Sequence, residues 1–186
     1  MRRNDKLLGG FITLAMVTCL LSASVAIEAQ SGLITRDEAL AAIFPEANIE
    51  SKRVFLTASQ IDRAENLAGE ELPSALIARY VARRGGEIVG RAYIDTHIVR
   101  TKRESLLISL DVNGHVRRID VTAFLEPLEY KASELWLQQY NRRPLGDDLA
   151  LQRAIRPIAG ATLTALATNT AIRRVLALDQ VLEQDK

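Results

Sequence analysis

The chain has 186 residues, 48% hydrophobic and 25% charged, which suits one globular domain with a buried core and excludes disorder as its general state. A formal net charge of +1 supplies no global field for nucleic acid, and the scattered arginine pairs read as solvated faces. Cys19 is the one cysteine and lies in an apolar N-terminal run, so the rest of the chain has no disulfide framework, thiolate metal site or thiol nucleophile.

Arg2, Arg3 and Lys6 precede an uncharged, mostly apolar run from Leu7 to Ile27, the layout of an export signal. Ser24-Val25-Ala26 offers a small-x-small cleavage site, which would make residues 1–26 the signal peptide. The run also approaches the roughly 20 residues of a spanning helix, so an uncleaved membrane anchor is the alternative. Either way the basic flank stays inside and the remainder, a single domain over 31–186, faces the periplasmic or extracytoplasmic side. Met16-Val17-Thr18 is a poor match to the sequence that precedes a lipidated cysteine.

Thr35, followed by Asp37 and Glu38, predicts a short amphipathic helix to about Phe44, stopped by Pro45. An extended piece around Val54-Phe55-Leu56 follows, then a second short helix capped by Ser59, with a break at Gly69 and Pro73. The middle of the chain alternates in steps of two, predicting strands over Ala75–Ala82, Ile88–Ile98, Ser105–Val112 and Val116–Phe124. Arg84-Gly85-Gly86 and Asn113-Gly114 are hairpin turns, and strands joined by such turns are antiparallel. Helical spacing returns at Leu135, Trp136 and Tyr140, with Ser133 as cap and Pro144 and Gly146 as terminators. After a short segment over Leu149–Ile155, a long helix runs from Thr162 to about Leu178, its polar Asn169, Arg173 and Arg174 leaving a broad apolar flank. The predicted class is α+β: an antiparallel sheet of about four or more strands with helices packed on it, preceded by the signal or anchor helix.

The segment Ile158-Ala159-Gly160-Ala161-Thr162-Leu163-Thr164 opens that last helix with small residues. The first amides of a helix lack intrahelical partners and carry the positive end of the peptide dipoles, so an anion such as phosphate is favoured there. Thr162 and Thr164 add hydroxyls that can donate to phosphate oxygens. The bland alternative is a tight turn at Gly160 and a threonine that merely caps the helix.

Gly160-Ala161-Thr162-Leu163-Thr164 resembles the Ser/Thr-Gly-Ala-Thr-x-Thr motif of the FMN-binding domain family, the periplasmic flavin subunits of sodium-pumping NADH:quinone reductase and Rnf-type complexes. Gly86–Tyr93 is similar to that family's strand ending in a Gly-x-Ala-like turn, Leu106–Val116 to its following hairpin, and Thr170–Arg173 to its final helix. The resemblance covers Ala75 to Leu178 and implies FMN held by Gly160, Ala161, Thr162 and Thr164. It further implies that a flavin transferase can join the FMN phosphate to Thr162. The family has an aspartate where Arg156 stands and Ser or Thr where Ala159 stands, so non-covalent FMN with Arg156 as phosphate partner is equally open. Glu126-Pro127 matches part of a Glu-Thr-Pro-Gly turn near the flavin, which implies Glu126 at the site, with an ordinary strand-to-helix turn as the alternative. Trp136 or Tyr130 can cover the isoalloxazine face, or belong to the core.

His97 and His115, the only histidines, show no metal-ligand or haem spacing and read as ordinary polar residues on or near the sheet. No nucleophile elbow or dinucleotide fingerprint occurs. The expectation is therefore an electron carrier whose partner is a redox protein or a membrane electron-transport complex. A flavin-free binding module of the same fold and a small flavin-dependent reductase are the competing readings.

Overall fold

The computed structural model describes residues 33–185, and the predicted signal or anchor over 1–26 lies outside them. In chain order the elements are α1 (Arg36–Ile43), β1 (Asn48–Phe55), α2 (Ala58–Ala68), β2 (Leu76–Arg84), β3 (Glu87–Ile98), β4 (Arg103–Leu110), β5 (Val116–Phe124), α3 (Glu134–Leu137) and α4 (Thr162–Gln184). Short 3₁₀ turns at Leu128–Tyr130 and Gln138–Tyr140 flank α3. The five strands form one antiparallel meander in sequence order, so the domain is α+β.

Local chemistry sets the element ends. Thr35 and Glu38 exchange bonds in a capping box, with Thr35 N donating to Glu38 Oε2 at 3.0 Å and Glu38 N to Thr35 Oγ1 at 3.3 Å. The cap of α2 is Thr57 rather than the expected Ser59, because only Thr57 has a glutamine three residues on to complete the reciprocal pair. Asp111 Oδ1 accepts from Asn113 N and His115 N, both at 2.9 Å, and Gly114 takes φ +79°, which closes the β4–β5 turn. β1 is longer than the extended piece expected at Val54–Leu56 and pairs with β2 from Asn48 to Phe55. As an edge strand exposing Ser51, Lys52 and Arg53 it carries no apolar alternation to read.

Two cores lie on the two faces of the sheet. On one, Tyr93, Leu106, Ile108 and Val121 pack with Ile172, Val175 and Val181 of α4. On the other, Tyr80, Ala92 and Leu107 meet Ala39, Leu40 and Phe44 around α1. Gly90 lies within β3 rather than at a strand-ending turn: a Cβ there would come 2.3 Å from Phe44 Cε1 and 2.7 Å from the Leu110 carbonyl.

α4 runs on past Leu178 to Gln184, and its polar Asn169, Arg174 and Asp179 are buried. Arg174 pairs with Asp95 at 3.0 and 3.1 Å, Asp179 with Arg91 at 2.5 and 2.7 Å, and Tyr93 Oη donates to Asp179 at 2.7 Å. Tyr140 Oη donates to the buried Asn169 at 3.0 Å. The partners in the ion pairs come from strands 79 to 88 positions away, so periodicity along α4 alone does not reveal them. His97 is a further departure from an ordinary surface polar residue. Its Nδ1 lies 2.9 Å from Asp95 and its Nε2 2.9 Å from Glu104, a residue with no exposed surface that also accepts from Thr168 Oγ1 at 3.1 Å.

Candidate functional site at the start of the last helix

The candidate site forms where three chain segments converge at one end of the sheet: the β3–β4 turn, the loop after β5 and the turn into α4. Glu126 ties the first two together. Its Oε1 accepts from Thr101 N at 2.7 Å, Lys102 N at 2.8 Å and Thr101 Oγ1 at 3.1 Å. These backbone donors hold its carboxyl below the usual glutamate range, so it is ionised at neutral pH.

The third segment turns at Gly160, whose φ of +79° is the left-handed conformation glycine adopts without strain. Nothing lies within 4 Å of where a Cβ on Gly160 would sit, so the backbone there is open to an approaching group. Ala161, the N-cap of α4, makes no side-chain cap, whereas α1 and α2 are each closed by a capping box. The first intrahelical bond is donated by Ala165 N to the Ala161 carbonyl at 3.0 Å, and the amides of Thr162, Leu163 and Thr164 precede it.

A cavity of about 300 Å³ opens at this helix start, lined by Val99, Arg100, Glu126, Tyr130 and Gly160 through Thr164. Gly160, Ala161, Thr162, Thr164 and Glu126 are thus brought together. Thr162 is exposed at the first helical position and Thr164 is buried. Arg156 does not line the cavity. Its segment is anchored elsewhere, with its amide donating to Gln139 Oε1 at 2.9 Å and its carbonyl accepting from Trp136 Nε1 at 2.7 Å. Trp136 in turn packs edge-on to Tyr140 with ring centroids 5.6 Å apart, so of the two aromatic candidates Tyr130 is the one at the cavity. No family model matches the chain, and no curated protein is significantly similar to it.

Arg100 is the residue that sequence reasoning missed. Its signal was present in Val99-Arg100-Thr101-Lys102-Arg103, a basic turn between two alternating segments, but nothing local places that turn beside a helix more than fifty positions on. A larger cavity, about 410 Å³, lies on the opposite face between α1 and β1–β2, lined among others by Arg36, Leu40, Phe44 and Tyr80. It has no open helix start, since α1 is closed by Thr35 and Glu38.

Chemically the site offers unpaired amides, a threonine hydroxyl, a guanidinium and one aromatic ring. That set suits an anionic group attached to a flat ring system.

Proposed function

We propose that this chain is an exported FMN-binding electron carrier that holds the flavin nucleotide by its phosphate at the start of α4. The observation that carries the reading is the uncapped helix start opening into a cavity past Gly160, with Thr162 and Thr164 on its wall. FMN, when bound, supplies one- and two-electron chemistry, and the residues supply position and access. The amides of the first turn would donate to the phosphate oxygens. Thr162, exposed at that point, is the attachment residue if a flavin transferase acts, and Thr164 contributes a buried hydroxyl. In the non-covalent form Arg100 takes the phosphate-partner role first expected of Arg156, and its charge offsets that of Glu126 across the cavity. Tyr130 is placed to cover part of the ring.

A cavity of about 300 Å³ is at the small end for ligand pockets, so a flavin seated by its phosphate keeps a ring edge accessible. Such exposure suits transfer to another redox carrier better than turnover of an enclosed substrate. The test is the visible spectrum of protein recovered from the exported compartment, with and without a co-expressed flavin transferase, and a denaturing gel viewed under ultraviolet light. Flavin absorbance is expected. Gel fluorescence lost in Thr162→Ala and kept in Thr164→Ala would assign the covalent link. Colourless protein under both conditions refutes the reading and leaves a flavin-free module.

A further inference from the structure

The end of the sheet that carries the cavity also carries an apolar rim. Ile98, Leu125, Leu128, Leu163 and Leu166 are each 48–58% exposed. Their segments converge on the cavity: Ile98 precedes Val99, Leu125 precedes Glu126, Leu128 lies two residues before Tyr130, Leu163 is itself a wall, and Leu166 follows it by one turn of α4. Leu125 N also donates to the Arg103 carbonyl at 2.9 Å, which fixes the post-β5 loop against the β3–β4 turn. Exposed Arg100, Lys102 and Arg103 crown that turn. Solvent-exposed leucines beside a basic cluster are the layout of a surface that lies in a bilayer interface and meets anionic headgroups.

The chain outside the described residues selects the occupant. The apolar run Leu7–Ile27 is joined to Leu33 by the five residues Glu28–Gly32. Fully extended, that tether spans at most about 18 Å. Leu33 and Ile34 enter along the middle of β5, lining small cavities with Ile119, Asp120 and Val121 and with Arg117 and Arg118. An uncleaved, membrane-inserted N-terminus therefore keeps the domain within reach of the lipid, and the apolar rim with its basic turn decides which end meets it.

We infer that the rim around the cavity seats on an anionic lipid bilayer, so that a group held at the α4 start faces partners embedded in the membrane. The inference rests on the uncleaved-anchor reading of the N-terminus and needs no bound flavin.

The test uses the full chain in vesicles, with Cys19→Ser as background and single reporters at Leu128→Cys, Leu163→Cys and, at the far end, Asn113→Cys. Each carries an environment-sensitive fluorophore, in phosphatidylethanolamine–phosphatidylglycerol vesicles containing nitroxide lipid. Matching circular dichroism spectra keep misfolding out of the comparison. Quenching at 128 and 163 is expected to exceed that at 113 several-fold, and to fall when phosphatidylcholine replaces the anionic lipid. Equal quenching at all three positions, or stronger quenching at 113, overturns the proposal. So does a blue shift at 128 and 163 without lipid quenching, which would mean that a second protein surface covers the rim. The readouts are taken on protein prepared without flavin, because Leu163 is a wall of the cavity, so they can fail while the FMN reading stands.

Discussion

Replacing His97 with glutamine tests the buried charge cluster beneath the candidate site. Both ring nitrogens of His97 face carboxylate oxygens, each at 2.9 Å, so both must donate and the ring is an imidazolium. Burial alone lowers a histidine pKa, but the hydrogen bonds to Asp95 and Glu104 outweigh it and raise the value from 6.5 to about 9. At roughly 1.4 kcal/mol per unit, that difference corresponds to about 3 kcal/mol of stabilisation. The folded state binds the proton more tightly than the unfolded chain. The stabilisation is therefore complete below the unfolded value near 6.5 and is lost as pH rises through about 9. Urea unfolding followed by fluorescence of Trp136, the single tryptophan, measures it directly. The wild-type protein is expected to lose stability steadily between pH 6.5 and 9, by up to about 3 kcal/mol. His97→Gln is expected to be less stable at pH 6.5 and nearly flat over the same interval. A variant whose pH slope runs parallel to the wild type would refute the clamp.

Three further substitutions probe the frame. Gly90→Ala forces a Cβ against Phe44 and the Leu110 carbonyl and is expected to cost about 1–3 kcal/mol, of which trimming Phe44 to leucine recovers only part because the backbone contact remains; an unchanged urea midpoint would contradict the packing. Asp179→Asn leaves buried Arg91 with only the more distant Glu183, at 3.5 Å, as counter-charge and is expected to cost about 3 kcal/mol, more than the double change Arg91→Met with Asp179→Leu, as thermal unfolding would show. Thr57→Ala removes the α2 cap and is expected to cost about 1 kcal/mol, while Ser59→Ala stays within about 0.5 kcal/mol. The reverse order in denaturant titration would return the cap to Ser59.

The meander was legible in β2 to β5, where apolar stretches are divided by glycine-marked turns, although the middles of β2, β3 and β4 are buried on both faces and not on the one that their alternation suggested. It failed at β1, an edge strand with polar side chains on both faces, and at the α2 start, where Thr57 wins over Ser59 through a side-chain pairing with Gln60. The candidate site was legible in two segments, Glu126 to Tyr130 through the family resemblance and the α4 start through its own residues. Small residues past Ala159 and the threonines at 162 and 164 marked an open helix start from local chemistry.

By itself, the order of residues determined what short-range physics controls: the hairpins, the α1 capping box and the helix start at Gly160–Thr162. The tertiary structure alone decided which distant groups meet there. It brought Arg100 and Tyr130 to the cavity, left Arg156 outside it, and turned Arg174 and Asp179 inward onto Asp95 and Arg91. These are pairings across tens of residues, stable only where a low-dielectric interior makes an unpaired charge costly, and no periodicity along one helix encodes them.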